Sequence, residues 1–186
     1  MRFIQCPLDE STARSLKVGE IVYISGPVIT ARDEAHIRAM KYLDEGKDVP
    51  ECLFGCTLYH CGPIVVEKED GYELIAAGPT TSARMNSLEP RFIREFGVRA
   101  IIGKGGMSSD VAKAMEECGC VYLAATGGAA VTLAEGLAKV DGVEWKDLGM
   151  AEALWMFDSS RLGPLVVAMD CAGNSLYKDV EDSLKR

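Results

Sequence analysis

The sequence lacks a long apolar run. None of its 186 residues belongs to a stretch of the roughly 18 apolar residues that a membrane-spanning helix needs. The N-terminal segment MRFIQCPLDESTARSLKVGE also lacks the apolar run of a secretory signal peptide. Internal repeats, low-complexity tracts and Pro/Gly-rich linkers are missing as well. We therefore expect a soluble, cytoplasmic protein without a membrane-bound part, folded as a single domain over residues 1–186.

Positive charge is also scarce. The chain has 20 Lys and Arg against 28 Asp and Glu, a formal net charge of −8, and a sequence pI near 4.9. This balance argues against a general nucleic-acid surface. A small anion would have to be held by short-range contacts, so local clusters of Arg and Lys are informative. The remaining composition, 48% hydrophobic and 26% charged, is ordinary for a globular core.

Cysteine pairs with C-x-x-C spacing are absent from the sequence. The seven cysteines are an odd set without C-x-x-C spacing, which suits reduced thiols better than disulfides or a strong metal motif. We interpret them mainly as core thiols and predict no metal ligands in this chain. A metal site formed by Cys52, Cys56 and Cys61 remains an alternative.

Several familiar catalytic motifs are missing too. The glycines around Lys104 do not have P-loop spacing, and no G-x-G-x-x-G opens a helix after a strand. Without a G-x-S-x-G elbow, and with only two histidines, a Ser-His-Asp hydrolase has little support. We interpret His60 as structural because it lies in an apolar strand context. His36 follows Arg32 by four residues, so it either reaches the same site or faces solvent.

Apolar patterning predicts an α/β domain with a central sheet and packed helices. The apolar runs predict strands at 20–25, 53–59, 63–67, 72–76, 100–103, 121–125 and 164–170. Helical spacing and capping residues predict helices at 33–45, 87–96, 108–118, 129–140 and 150–157. The KEDG segment between two of the strands predicts a hairpin. The pattern does not give the strand order.

Three short segments combine glycine, hydroxyl groups and positive charge at the boundaries of predicted elements. They are TARD at 30–33, GPTTSARM at 78–85 and GKGGM at 103–107. Each lies in a predicted loop next to a strand. In α/β sheets, ligands collect at such loops beside the carboxyl ends of strands.

The chemistry of these segments suits a dicarboxylate. Arg32 and Arg84 offer planar forks for carboxylates, and Lys104 adds a compact charge. The hydroxyls of Thr80 and Thr81 could complete the cradle. Each residue also has an ordinary explanation: the threonines could cap a helix, Arg32 could pair with a nearby acid, and Lys104 could lie in a solvated loop.

Together, the segments resemble the β-subunit of class I fumarate hydratases and L-tartrate dehydratases, equivalent to the C-terminal domain of single-chain class I fumarases. The resemblance runs over about residues 18–177 and is carried by TARDEAH, LYHCGPIV, GPTTSARM, GVRAIIGKGGM, YLAATGGAAV, LGMAEALW and GPLVVAMDCAGNSLY. It implies a swivelling β/β/α domain that docks on a separate α-subunit. In that family the α-subunit holds a [4Fe–4S] cluster, so none is expected in this chain alone.

The resemblance also implies roles for individual residues. Arg32 and Arg84 correspond to the clamps for the substrate carboxylates, and Lys104 to a lysine that contacts the same substrate. Thr80 corresponds to a threonine that takes part in proton transfer. We add supporting contacts from Thr81, Gly105 and Gly106.

The implied function is reversible hydration of fumarate to L-malate, active only with the α-subunit. One alternative keeps the fold and changes the substrate to L-tartrate. Another is a non-catalytic domain that binds a carboxylate or assists assembly. A third is a stand-alone metal enzyme that uses the cysteines at 52, 56 and 61. The oligomeric state of the isolated chain is open, and a homodimer is one candidate.

Overall fold

The computed structural model describes residues 1–185. Its strands are β1 Arg2–Gln5, β2 Ile21–Thr30, β3 Thr57–Tyr59, β4 Ile64–Lys68, β5 Gly71–Ala76, β6 Ala100–Gly103, β7 Val121–Ala124, β8 Leu137–Glu144 and β9 Leu154–Met169. Its α-helices are α1 Glu10–Ser15, α2 Asp33–Asp44, α3 Glu89–Phe96, α4 Ser109–Cys118, α5 Ala130–Glu135 and α6 Leu176–Leu184. This confirms the predicted α/β class.

The main sheet has seven strands in the order β1-β2-β3-β6-β7-β9-β8. Strands β2, β3, β6 and β7 are parallel neighbours, and β9 runs antiparallel to β7. Strand β9 also pairs along the length of β2, which closes the ring β2–β3–β6–β7–β9. The closed ring fixes the parallel strands side by side, so the loops that follow them lie at one edge.

The two faces of the central strands belong to different core clusters. Ile101 packs with one cluster and Ile102 with the other, because successive side chains of a strand point to opposite faces. The cluster containing Ile101 also holds buried residues of α2, α3 and α4, including Phe92 and Met115. These three helices therefore cover that face of the sheet.

The predicted hairpin is confirmed. Strands β4 and β5 pair antiparallel, with Lys68 opposite Gly71, and form a separate two-stranded sheet. The backbone N–H of Ala77 donates a 3.0 Å hydrogen bond to the carbonyl of Ala130, which joins the end of the hairpin to α5.

The predicted helix at 150–157 is wrong. Residues from Leu154 onward form the start of β9, where Trp155 pairs with both Thr30 of β2 and Val143 of β8. Pairing on both edges satisfies the backbone polar groups of this segment, and this tertiary arrangement overrides its helical spacing. Within β9, the predicted strand at 164–170 is confirmed as the C-terminal part.

Three other boundaries differ from the sequence-based expectations. The helix predicted at 129–140 ends at Glu135, and strand β8 begins at Leu137. Strand β3 begins only at Thr57, since a short 3₁₀ turn precedes it. Strand β2 continues beyond residue 25 to Thr30 because it stays paired with β9 through a register shift near Gly26. Within residues 1–185, no helix is long and apolar enough to cross a membrane.

Candidate active site

The three predicted segments meet at one edge of the sheet. TARD follows β2, and GKGG begins at the last residue of β6, two strands away in the parallel set. GPTT lies beside both β3 and β6, because Pro79 forms a β-bridge with Cys61 and Thr81 forms one with Lys104. The carboxyl ends of β2, β3 and β6 therefore bring together residues that are distant in sequence, as the strand-end argument predicts.

The two predicted arginine clamps share one carboxylate. Nε of Arg84 donates a 3.1 Å hydrogen bond to Oδ1 of Asp33, and Nη2 of Arg84 contacts Oδ2 of the same group. Nε of Arg32 lies 3.7 Å from that second oxygen. Asp33 thus places both guanidinium groups around a single point at the start of α2.

Charge pairing changes the acid strength of Asp33. Partial burial opposes ionisation, but the hydrogen bond and charge of Arg84, with the charge of Arg32, outweigh it and lower the Asp33 pKa. The same contact raises the pKa of Arg84. Asp33 is therefore a stable counter-ion near neutral pH, and Arg84 remains charged.

Arg32 has a second acidic partner that the sequence reasoning missed. Its Nε lies 2.5 Å from Oε1 of Glu152, whose other oxygen accepts a 3.0 Å hydrogen bond from the backbone N–H of Glu34. The sequence pattern places Glu152 in the helix predicted wrongly at 150–157, so no sequence signal connects it with Arg32. This charge contact, which lacks hydrogen-bond geometry, holds Arg32 at the N-terminus of α2.

Thr80, Thr81 and Lys104 form the other side of the site. The backbone N–H of Thr80 donates a 2.7 Å hydrogen bond to the carbonyl of His60. The backbone carbonyl of Lys104 accepts a 3.1 Å hydrogen bond from the N–H of Ser82. Lys104 is partly buried, and no ion pair within residues 1–185 involves it. Its backbone is fixed while its ammonium group has no counter-ion in that part of the chain.

The two glycines after Lys104 shape this loop. Gly105 and Gly106 have φ angles of +82° and +70°, a backbone region that favours glycine. A Cβ at Gly106 would lie 2.5 Å from the ring of Tyr177, so this residue also permits close packing of α6. The role of their amide groups in binding substrate stays a prediction.

The cysteines do not assemble into a ligand group. Cys56 and Cys61 are buried and Cys52 is half-buried, and burial raises the pKa of the Cys52 thiol to about 11 and of the Cys61 thiol to about 12. High thiol pKa values disfavour the thiolate that binds metals. Within residues 1–185, the one close grouping of three ligand-type side chains contains no cysteine.

That grouping joins both histidines to a glutamate. His36, His60 and Glu89 are fully buried, and their ligand atoms lie within 4.8 Å of one another. The prediction that His60 is structural fits its burial, and of the two alternatives for His36 the exposed one is wrong. The sequence signal for the position of His36 is its spacing of four residues from Arg32. In the structure, Nδ1 of His36 lies 2.9 Å from the Arg32 carbonyl.

Comparison with known proteins agrees with the resemblance. A family model described as "Fumarase C-terminus" matches residues 4–180. A putative L(+)-tartrate dehydratase subunit beta of Methanocaldococcus jannaschii is 45% identical over 174 residues, covering 93% of this chain and 89% of that protein. The L(+)-tartrate dehydratase subunit beta of Escherichia coli (strain K12) is 33% identical over 178 residues, covering 96% of this chain and 87% of that protein.

A longer relative shows the same match. A putative fumarate hydratase class I of Geobacillus stearothermophilus is 42% identical over 181 residues, which are 97% of this chain but 34% of that protein. The matched segment is therefore a part of a longer chain in that case and a separate subunit in others. The present chain belongs to the fumarase C-terminus family, with the β subunits of L(+)-tartrate dehydratases and with class I fumarate hydratase.

Proposed function

We propose that this chain is the β-subunit of a hydro-lyase that interconverts fumarate and L-malate together with an α-type partner. The relatives support the reaction class and the subunit role by their names. The observation that carries the proposal is the convergence of Arg32 and Arg84 on Asp33 at the same sheet edge as Thr80 and Lys104. This arrangement offers separate positive groups for a substrate with two carboxylates.

Substrate binding begins with the arginines. The bonds to Asp33 use Nε and Nη2 of Arg84, which fixes the guanidinium plane and leaves the Nη1 hydrogens for a substrate carboxylate. Arg84 is 46% exposed, so a ligand can reach it, whereas Arg32 is more enclosed. A planar fork held in one orientation loses little freedom when it binds a carboxylate.

Lys104 supplies the charge that the reaction needs. Removal of the proton next to a carboxylate places developing negative charge on that group, and a fixed cation there lowers the barrier. In the described part of the chain Lys104 has no acidic partner, so its ammonium group is available to the substrate. Its backbone bond to Ser82 holds the start of the lysine side chain in place.

We assign Thr80 to proton transfer at the substrate carbon. A threonine hydroxyl is a weak base and needs a partner that accepts its proton. Within residues 1–185, the backbone of Thr80 is fixed by His60, but no hydrogen bond involves its hydroxyl. The activating group is therefore assigned to the α-type partner.

The [4Fe–4S] cluster is also assigned to that partner. The cysteines of residues 1–185 do not group as cluster ligands, and burial disfavours the thiolate forms of Cys52 and Cys61. In this proposal the present chain binds and orients substrate, and the cluster belongs to the other half of the site.

L-tartrate is the competing substrate. Two of the relatives described above carry that name and one is named a fumarate hydratase, at identities of 45%, 33% and 42%. The first experiment is anaerobic co-purification of this chain with its α-type partner after cluster reconstitution, with assays on malate, fumarate and both tartrate enantiomers. Turnover of malate and fumarate by the pair supports the proposal; exclusive turnover of a tartrate contradicts the substrate, and turnover by the isolated chain contradicts the half-site.

Arg84→Ala tests the clamp in the same complex. Loss of a donor that stabilises developing charge commonly costs about 10²–10³ in rate, so we expect kcat/KM to fall at least about a hundredfold while the complex still assembles. Arg91→Ala is the matched control, since Arg91 is 45% exposed and pairs with Asp44 away from this edge. Near-normal turnover by the Arg84 variant contradicts the clamp role.

A further inference from the structure

The His36–His60–Glu89 group lies beneath the candidate active site but is not used by the proposed chemistry. His36 belongs to α2, His60 follows β3, and Glu89 is the first residue of α3. All three side chains have no solvent-exposed surface. Nε2 of His36 lies 3.2 Å from Oε2 of Glu89, and Nε2 of His60 lies 3.1 Å from the same oxygen.

These short contacts do not have hydrogen-bond geometry. Within residues 1–185, the buried atoms His36 Nε2, His60 Nε2, Glu89 Oε1 and Glu89 Oε2 have no hydrogen-bond partner. Four buried polar atoms without a hydrogen bond at one place are unusual, because buried polar groups are normally satisfied. The ring nitrogens therefore approach one carboxylate oxygen without a hydrogen bond to it, an arrangement that a metal ion between them would explain.

The other nitrogen of each ring is anchored. Nδ1 of His36 lies 2.9 Å from the carbonyl oxygen of Arg32, which can only accept, so this nitrogen carries the hydrogen. In the neutral ring Nε2 then has a free lone pair. Nδ1 of His60 lies 2.8 Å from Oγ of Ser82, which is itself 2.9 Å from the hydroxyl of Tyr122. Metal-binding histidines are characteristically oriented by such bonds at the second nitrogen.

We propose that His36, His60 and Glu89 bind one divalent transition-metal ion, with zinc as the best match. Two imidazole nitrogens and one carboxylate are three protein ligands of the types that zinc prefers, and a water molecule would complete four-coordination. The spacings of 3.1 and 3.2 Å are close to the ~3.3 Å edge of a tetrahedron with bonds of about 2.0–2.1 Å. The ion also supplies the positive charge that a fully buried carboxylate needs.

The ion joins segments that carry the candidate active-site residues. Nδ1 of His36 donates a 2.9 Å hydrogen bond to the backbone carbonyl of Arg32. The backbone carbonyl of His60 accepts a 2.7 Å hydrogen bond from the N–H of Thr80. Glu89 adds the start of α3 to the same centre. The role is structural, because the group is fully buried and substrate cannot reach it. This inference does not depend on the proposed hydro-lyase activity.

Zinc content tests the site directly. The full chain, without a histidine tag, is stripped with a chelator, incubated with zinc, desalted and measured by inductively coupled plasma mass spectrometry. We expect one retained zinc per chain and a higher Tm with zinc than with chelator. Glu89→Gln should lose both, whereas Glu95→Gln, an exposed glutamate of the same helix, should keep both.

Cobalt identifies the ligands without any substitution, which matters if Glu89→Gln does not fold. The chain has only two histidines, so a wild-type cobalt complex with two imidazole ligands and no sulfur, seen by X-ray absorption, must use His36 and His60. Thiolate-to-cobalt charge-transfer bands would instead place the metal at a cysteine and overturn the assignment. Failure of the wild type to retain any zinc would also overturn it, and the contacts would then be an ion pair that shares a proton.

Discussion

At the scale of single residues, Asp170 shows how one carboxylate can organise several backbone segments. It is 2% exposed and accepts hydrogen bonds from the backbone N–H groups of Val18, Ala172 and Asn174 at 2.9–3.2 Å. The side-chain amide of Asn174 donates to both of its oxygens. Burial opposes ionisation, but these donors outweigh it and lower the Asp170 pKa.

Asp170→Ala should therefore destabilise the fold. One hydrogen bond to a charged group contributes about 1.5–3 kcal/mol, so we expect at least that loss in the free energy of unfolding. Urea denaturation measures it. Asp182→Ala is the control, since Asp182 is exposed and only approaches Lys185 at 3.8 Å. Equal denaturation midpoints for the two variants would contradict the role of Asp170.

The same carboxylate predicts a pH dependence. The pKa of Asp170 is lower in the folded than in the unfolded state. Its stabilisation is then complete above the unfolded-state pKa and is lost as the pH falls through the folded-state pKa. The stability difference between wild type and Asp170→Ala should stay constant near neutral pH and shrink on acidification. A difference that grows as the pH falls would refute this linkage.

At the scale of secondary structure, Gly136 marks the change from helix to strand that the sequence pattern missed. It ends α5, and β8 starts at the next residue. A Cβ at this position would lie 2.7 Å from the carbonyl oxygen of Arg161 and 2.8 Å from Cα of Leu162. The backbone of β9 therefore passes too close for any side chain here.

Gly136→Ala tests this close approach. Overpacking against backbone costs about 1–3 kcal/mol, so Tm should fall even though alanine favours helices. Gly127→Ala provides the matched control, because a Cβ there would meet nothing within 4 Å. If Gly136→Ala were as stable as the control, or more stable, the continuous helix predicted at 129–140 would regain support.

The helices that the sequence predicted well carry local signals. Helices α3 and α4 are followed directly by Gly97 and Gly119, with φ angles of +63° and +69°, and both helices bury one apolar face. The start of β9 carries no such signal, because its conformation depends on pairing with β2 and β8. Long-range pairing of this kind cannot be deduced from the spacing of neighbouring side chains.

The candidate site likewise contains residues that the sequence predicts and residues that it does not. The glycine-containing segments were predictable, because strand-end loops with Arg and Lys have a recognisable composition. The acidic partners are not predictable in this way, since Glu152 reaches Arg32 from 120 positions away, in a segment whose spacing predicts the wrong element. The burial of Glu89 against both histidines likewise arises only when α2, β3 and α3 pack together.

At the scale of the whole molecule, the β4–β5 hairpin exposes several apolar side chains to solvent. Side chains along each strand point alternately to opposite faces. Val65 is therefore buried, while Ile64, Val66 and Ile75 are 55%, 42% and 44% exposed. A group of exposed apolar side chains on one small sheet is typical of an interaction surface. Strand β5 leads directly into the GPTT segment, which places this face beside the candidate active site.

We therefore assign the hairpin face to the α-type partner, an assignment that depends on the proposed half-site function. Ile75→Asp puts a charge in the middle of this surface and should weaken association with the partner at least about tenfold, since burial of an unpaired charge is costly. Titration calorimetry of the two chains measures the change. Val180→Asp, at a 58% exposed position on α6, should leave Kd unchanged. Equal Kd values for both variants would place the interface elsewhere while leaving the active-site assignment to the Arg84 experiment.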